Sequence, residues 1–186
     1  AAEDRQRADQ LSQRAVQLDS RDAWVLSVAA HIQSFLCKRF GAAQEMFEQA
    51  LQLNPSCSNA WALSGTTLAY QGRGDEALAR VRNALRLSPF DPNSFWYFTA
   101  NGIACIVEGR HDEAISWLGR ALRLNPRYHA GTRMLVVAHA LSGDSDSASR
   151  VGQDFLALEP EFSVSRFASW YPLQPPHLQR VVEGMK

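Results

Sequence analysis

The chain has 186 residues, of which 46% are hydrophobic and 20% are charged, and this composition argues for a folded chain rather than a disordered one. Its 19 basic and 19 acidic residues balance, so it lacks the overall positive charge that concentrates nucleic acid or anionic lipid around a protein. No predominantly apolar stretch reaches the roughly 20 residues of a membrane span. These features predict no membrane association and make nucleic acid an unexpected partner.

The cysteines and histidines form no disulfide or metal-binding pattern. Cys37, Cys57 and Cys105 are odd in number and lie far apart, which predicts reduced thiols and a cytoplasmic location. The five histidines have no zinc-ligand spacing with any cysteine. We therefore expect no metal site and no cofactor.

A short apolar phrase that ends in Pro, or in Ser once, recurs along the chain and divides it into units. It reads AVQLDS, ALQLNP, ALRLSP, ALRLNP and FLALEP in order. The closing residues are Ser20, Pro55, Pro89, Pro126 and Pro160, which are separated by 35, 34, 37 and 34 residues. Periods of this length predict a stacked array of similar structural units rather than one globular core.

Within each unit, small residues predict a pair of closely packed helices. Alanines seven residues apart lie on one helical face, where they let another helix approach. These pairs are Ala8 and Ala15, Ala43 and Ala50, Ala77 and Ala84, and Ala114 and Ala121. Gly65 and Gly102 provide a matching notch on the partner helix. Gly72, Gly109 and Gly143 then mark the turn between the two helices, since glycine tolerates a positive φ.

These residues resemble the tetratricopeptide repeat. The unit from Asn59 carries the marker residues of that family as Trp61, Gly65, Gly72, Ala77, Ala84 and Pro89. The resemblance implies an all-α fold, a superhelical solenoid of antiparallel helix pairs with a C-terminal capping helix. We predict the second helix of a truncated repeat at 1–20, repeats at 21–55, 56–89, 90–126 and 127–160, and a cap at 161–186.

The two ends of the predicted solenoid depart from the repeat pattern. The first helix has no partner helix before it, so we expect the chain to be part of a longer protein. After Pro160 the sequence predicts a helical turn, a proline-rich corner and a closing helix from about Pro176. This tail either caps the exposed side of the fourth repeat or folds back into the groove as an internal ligand.

The 37-residue interval indicates three extra residues before or within the start of the third repeat's first helix, which is nearly one extra turn. Asp91 followed by Pro92 is typical of a helix start. The added turn then carries four consecutive aromatic residues, Phe95, Trp96, Tyr97 and Phe98. Because four consecutive residues span most of a helix circumference, at least one should face the groove or solvent. Two interpretations remain open. The four side chains either all pack in the core of the solenoid, or Trp96 or Tyr97 is an anchor for a partner.

The resemblance also implies a concave groove lined by the first helix of each repeat. Our candidate partner-binding residues are Thr66, Tyr70, Trp96, Tyr97, Thr99, Ile103, Val107, Arg133 and Val137. In the first repeat, whose register is less regular, the candidates are Val28, Ile32, Phe35 and Leu36. This lining is mostly apolar with one cation. It favours a protein or peptide partner, either an amphipathic helix or an apolar extended segment, which could belong to the same polypeptide.

Several other activities are not expected. Ala62, Thr66 and Thr99 occupy positions where some tetratricopeptide repeats clamp a terminal carboxylate, and these side chains cannot supply the cationic and amide donors. His111, Asp112 and Glu113 open a second helix, where carboxylates favour the helix dipole, so they do not indicate acid–base catalysis. The arginines of the second helices form a solvated outer face. We predict no catalytic residue.

A narrower resemblance is carried by ALQLNPSCSNAWALSG, LRLSPFDPNSFWYF, ALRLNPRY and EPEFSVSRF followed by a WYP corner. Together these phrases resemble the C-terminal repeat region of bacterial adenylate or guanylate cyclase-type signalling proteins. The resemblance implies a regulatory module attached to an upstream output domain. Similar regions follow winged-helix domains in transcriptional regulators, where they sense or oligomerise, and a free-standing adaptor is a third hypothesis. Homo-oligomers are compatible with each hypothesis.

Overall fold

A computed structural model describes residues 2–186, and these form eleven α-helices and no strand. The helices are α1 (Ala2–Leu18), α2 (Ala23–Phe35), α3 (Phe40–Leu53), α4 (Ser58–Tyr70), α5 (Gly74–Leu87), α6 (Ser94–Val107), α7 (His111–Leu124), α8 (His129–Ser142), α9 (Ser145–Leu158), α10 (Val164–Trp170) and α11 (His177–Glu183). The predicted all-α fold class is confirmed. Ala1, at the start of the predicted range 1–20, lies outside the described residues.

Helices α2 to α9 form four antiparallel pairs, and one pair lies in each of the four predicted repeat ranges. The first helices α2, α4, α6 and α8 pack side by side in that order, while each second helix packs against the first helix of the next pair. The first helices therefore form one continuous layer, the concave face of the solenoid. Helix α1 packs against α2.

Small residues lie where the two helices meet in the first three pairs, as the sequence predicts. The six alanines of α3, α5 and α7 in the predicted stripes are fully buried. A Cβ atom built at Gly65 would lie 2.9 Å from the carbonyl oxygen of Ala77, so α4 and α5 touch backbone to backbone there. The inter-helix glycines Gly72, Gly109 and Gly143 have φ values of 82°, 74° and 88°, as the turn requires.

The extra residues of the third repeat lie mainly in the loop before its first helix, which corrects the predicted extra helical turn. Helix α6 begins at Ser94 rather than at Pro92, and it has 14 residues against 13 in α4. Asp91 stays in the loop, where its Oδ1 accepts a hydrogen bond from the Asn93 amide at 2.8 Å. Asp91 therefore shapes a turn instead of capping the helix.

Candidate partner-binding groove

The C-terminal segment, residues 161–186, crosses the concave face instead of lying only at its end. Helix α10 runs from the fourth repeat to the first, where the rings of Trp170 and Phe35 meet edge to face at 5.7 Å. The chain then turns over the second repeat, where Tyr171 contacts Tyr70 at 5.7 Å between ring centroids. The amide of Gln174 donates a hydrogen bond to the carbonyl oxygen of Tyr70 at 2.9 Å.

Helix α11 carries the segment back toward the fourth repeat. His177 covers Gly72, since a Cβ atom at that glycine would lie 2.7 Å from His177 Nε2. The guanidinium of Arg180 donates to the carbonyl oxygen of Val107 in the third repeat at 3.3 Å. A Cβ atom at Gly184 would lie 3.3 Å from Val137 Cγ1 in the fourth repeat. The C-terminal segment thus contacts the first helix, or the turn after it, in all four repeats.

The C-terminal segment is part of the largest apolar core. Phe167, Tyr171, Leu173 and Val181 are each at most 5% exposed, in one cluster with the groove residues of α4, α6 and α8. The same segment also covers α9, because the ring of Phe162 meets Phe155 at 4.9 Å. The segment therefore contacts both α9 and the groove, the two places that the two interpretations of the tail give it.

The part of the concave face that the C-terminal segment leaves uncovered is a cavity of about 260 Å³, which we call the cup. Residues from all four repeats line it together with one residue of the segment. They are His31, Phe35, Leu63, Thr66, Tyr70, Trp96, Thr99, Ala100, Ile103, Tyr128, Ala130, Arg133, Met134 and Tyr171. The cup is smaller than the roughly 300–1,000 Å³ of most small-molecule sites, so it suits one or two side chains of a partner.

The nine candidate residues fall into three groups in the structure. Six line the cup, namely Thr66, Tyr70, Trp96, Thr99, Ile103 and Arg133. Val107 and Val137 lie on the groove floor beneath α11, at 5% and 0% exposure. Tyr97 belongs to neither group. Partner binding by the cup residues stays a prediction, whereas a partner reaches Val107 and Val137 only if the C-terminal segment leaves.

The four aromatic residues at the start of α6 point in different directions, as their spacing requires. Phe95 meets Tyr128 at 4.9 Å beside the cup, and Phe98 packs on Trp117 of α7 at 5.6 Å. Trp96 lines the cup and remains 43% exposed. Trp96 is thus the most exposed member of the cluster and the one best placed to contact a partner.

Tyr97 is a core residue, and its prediction as a partner anchor is corrected. Its side chain is 2% exposed and packs with Ala62, Val81 and Ala84 between α4, α5 and α6. Its hydroxyl donates to Asp91 Oδ2 at 2.9 Å, and burial raises the pKa of Tyr97 to about 12. Tyr97 ties the inserted loop to the core and presents no surface to a partner.

Arg133 supplies a buried cation to the cup. Its side chain is 13% exposed, and Nη1 lies 3.5 Å from Glu159 Oε2. The guanidinium also stands over three aromatic rings at 5.4 to 5.9 Å, those of Phe155, Phe162 and Phe167. Its Nε is buried without a hydrogen-bond partner among the described residues, and a single cation does not form a carboxylate clamp by itself.

His31, Tyr128 and Tyr171 line the cup although sequence reasoning did not assign them to it. His31 stacks on Phe35 at 5.5 Å between centroids, and its Nδ1 is buried without a hydrogen-bond partner among the described residues. Burial lowers the pKa of His31 to about 4, so the ring is neutral at pH 7. The available signal was that His31 replaces the glycine usual at that repeat position.

Because the pKa of His31 is lowered in the folded protein, we expect the free energy of unfolding to fall at acid pH. The folded pKa of about 4 lies below the unfolded value of about 6.5, so the stabilising contribution is complete above pH 6.5 and falls as the pH approaches 4. We expect wild-type protein to lose about 2 kcal/mol between pH 7.5 and pH 5 from this group. Urea unfolding at both pH values measures the loss, and His31→Leu should remove most of it. An equal loss in the variant would show that other groups carry the pH dependence.

The described residues hold neither a group of metal-ligating side chains nor a membrane-spanning helix. No three His, Cys, Asp or Glu side chains among them are grouped as a metal site requires. No helix in residues 2–186 is both long and apolar enough to cross a bilayer. The concave face, with its cup and its bound C-terminal segment, is the candidate site.

Comparisons with known proteins agree with this architecture. A family model described as tetratricopeptide repeat matches residues 38–97. No curated protein sequence matches the chain significantly. Among solved structures, the chain is similar to PilW, a widely conserved type IV pilus biogenesis factor, with a TM-score of 0.75 and 22% identity over 90% of this chain and 76% of PilW.

Two further structures share the fold. YrrB, a repeat protein with an unusual peptide-binding site, aligns with a TM-score of 0.61 and 21% identity over 90% of this chain and 84% of YrrB. A mutant of the O-GlcNAc transferase of Thermobaculum terrenum aligns with a TM-score of 0.65 and 26% identity. The alignment covers 73% of this chain and 26% of the transferase chain. In fold, the chain is a tetratricopeptide-repeat solenoid.

Proposed function

We propose that this chain is a non-catalytic protein-interaction module whose cup binds a short apolar segment of a partner, either one face of an amphipathic helix or an extended stretch. The observation that carries this proposal is the cup itself, because residues from all four repeats converge on one cavity. A cavity assembled from four repeats needs the complete solenoid, which is how repeat arrays build binding surfaces.

The chemistry of the walls supports an apolar ligand. The hydroxyl of Thr66 donates to the carbonyl oxygen of Ala62 at 3.0 Å, and that of Thr99 to Phe95 at 2.9 Å. With both hydroxyls bonded to their own helix and Arg133 engaged with Glu159, a ligand gains mainly from burying apolar area against rings such as Trp96. That YrrB has a peptide-binding site also supports a peptide ligand for this fold.

For the wider role, we propose the regulatory C-terminal part of a bacterial adenylate cyclase-like signalling protein in the cytoplasm. The supporting observation is the order of repeat phrases and the WYP corner in the sequence. The three cysteines are unpaired, which suits a reducing compartment. Sequencing the gene upstream of Ala1 tests this role. A cyclase domain with its metal-binding carboxylates would support it, and a winged helix would instead indicate a transcriptional regulator.

A free-standing adaptor is the second candidate function. The chain aligns with 76% of the PilW chain and 84% of the YrrB chain, so it spans most of two solved repeat structures. An upstream sequence that holds only further repeats would favour this adaptor role.

Peptide binding can be tested with apolar peptides selected by display against the intact chain. We expect Trp96→Ala to weaken the selected peptides at least about tenfold, because amphipathic aromatics dominate binding hot spots. Its cost in folding stability should stay below about 1 kcal/mol, since Trp96 is 43% exposed. Calorimetric titration and urea unfolding measure the two effects.

Trp24→Ala is the matched control, because Trp24 is 59% exposed on α2 and does not line the cup. It should leave peptide affinity unchanged. Equal peptide affinity in the Trp96 and Trp24 variants, or a Trp96 variant that unfolds without a specific loss of binding, would contradict the proposed function.

A further inference from the structure

The groove floor recognises the C-terminal segment through backbone groups at equivalent positions of two repeats. Tyr70 and Val107 are the last residues of α4 and α6. Their carbonyl oxygens are among the last four of each helix, which have no partner within the helix. The backbone amide of Gln174 donates a hydrogen bond to the carbonyl oxygen of Tyr70 at 2.9 Å. The guanidinium of Arg180 donates one to the carbonyl oxygen of Val107 at 3.3 Å. The solenoid thus presents repeating acceptors, and the segment supplies the donors.

The side chains of the segment fill the floor between these hydrogen bonds. Tyr171 stacks on Phe167 at 4.4 Å and meets Tyr70 at 5.7 Å. Leu173 and Val181 are 2% and 1% exposed. The floor therefore combines backbone acceptors with apolar contacts for the side chains of the segment. A segment that fits this floor has two aromatic residues, a proline and an aliphatic residue, followed by a short helix.

Among the described residues, the three smaller apolar clusters of the solenoid do not include the segment. These clusters lie between α1 and α6, around Phe47, Leu51 and Val81. The link from α9 to α10 passes through Pro160 and Glu161, which are both exposed. The packing within these three clusters is therefore complete without residues 161–186.

We propose that residues 161–186 are an intramolecular ligand of the groove, and that the floor beneath them binds in trans a partner segment of the same aromatic–proline–aliphatic chemistry. The proposal rests on the peptide-binding role of the groove and adds the class of ligand and its regulation. A tethered segment acts at a millimolar effective concentration, so it excludes weaker external ligands while it is docked. A partner must compete with the segment to reach Val107 and Val137.

The test cuts the tether without removing the segment. A protease site is inserted between Pro160 and Glu161, the intact chain is purified and cleaved, and a fluorescent synthetic peptide of residues 161–186 is added. Before cleavage, the labelled peptide should not bind detectably. After cleavage, we expect the fragment to stay bound to the folded solenoid and to exchange with the labelled peptide, seen as a saturable rise in anisotropy.

Variant peptides test the chemistry of recognition. Val181→Asp in the competing peptide should weaken competition at least tenfold, whereas Gln179→Glu, at an exposed position, should compete like the unmodified peptide. If the cleaved chain unfolds, or if the fragment never exchanges with excess labelled peptide, the segment is an inseparable part of the fold and the proposal is overturned.

The two proposals fail separately. Trp96 lines the cup and not the floor, so Trp96→Ala should leave the exchange of the labelled peptide unchanged. If the labelled peptide exchanges with the cleaved segment but no selected peptide binds the cup, only the proposed function of the cup is overturned.

Discussion

Gly65→Ala should lower the free energy of unfolding by about 2–4 kcal/mol, a large effect for the addition of one methyl group. A Cβ atom at this position would lie 2.8 Å from Val81 Cγ2 and 2.9 Å from the backbone oxygen of Ala77. Neither neighbour can rotate away, because Val81 is fully buried and the oxygen belongs to α5. The methyl group must therefore push α4 and α5 apart. Urea unfolding followed by circular dichroism measures the loss.

Gly152→Ala is the matched control. Gly152 lies in the interior of α9, and nothing approaches the position of its Cβ atom within 4 Å. With free space and a helical backbone, alanine should raise stability by about 0.5–1 kcal/mol. If the two substitutions changed stability in the same direction and by similar amounts, close contact of the paired helices would not be what requires glycine at position 65.

Val181→Asp should cost about 3 kcal/mol or more of folding stability. Val181 is 1% exposed between α11 and the groove, so the carboxylate would be buried without a partner or the C-terminal segment would leave the floor. If the segment leaves the floor, the carboxylate returns to water. The loss of stability then cannot exceed the free energy of docking the segment. Thermal unfolding measures the loss, and hydrogen exchange at the backbone amide of Gln174 reports release.

Gln179→Asp separates burial from charge, because Gln179 is exposed on the same helix. It should change stability by less than about 0.5 kcal/mol. A similar loss in both variants would mean that negative charge anywhere on α11 destabilises the protein, and that burial of Val181 against the groove is not the cause.

The repeat architecture could be predicted from sequence because its determinants are local and periodic. The alanine stripes and the notch at Gly65 follow from helical spacing, and Gly72, Gly109 and Gly143 adopt the positive φ that the turn requires. Each of these signals recurs about every 35 residues. Repetition therefore made the helix pairs predictable without any knowledge of their neighbours.

The aromatic cluster shows where local reasoning failed. The Asp91–Pro92 pair suggested a helix start, but Asp91 is held in the loop by its bonds to the Asn93 amide and the Tyr97 hydroxyl. The prediction that at least one of the four consecutive aromatic residues lies outside the core was correct. Which residue does so depends on how α6 is rotated against α4 and α5, and this packing places Tyr97 inside and Trp96 in the cup.

The course of the C-terminal segment lay beyond sequence reasoning for a different reason. Its apolar residues suit a cap and a groove ligand equally well, because both environments bury one apolar face. Its contacts with Phe35 and Tyr70 join residues more than 100 positions apart in the chain. For the same reason, Tyr171 was not recognised as a wall of the cup.

The docking of the C-terminal segment in the groove is the central claim, and hydrogen exchange at the Gln174 amide tests it most directly. Gln174 lies outside any helix, and its amide bonds to the carbonyl oxygen of Tyr70 at 2.9 Å. We predict that NMR will show this amide protected at least about 100-fold in the wild type and exposed in Val181→Asp. Exchange at the unprotected rate in the wild type, while the amides of α4 and α6 remain protected, would contradict the account.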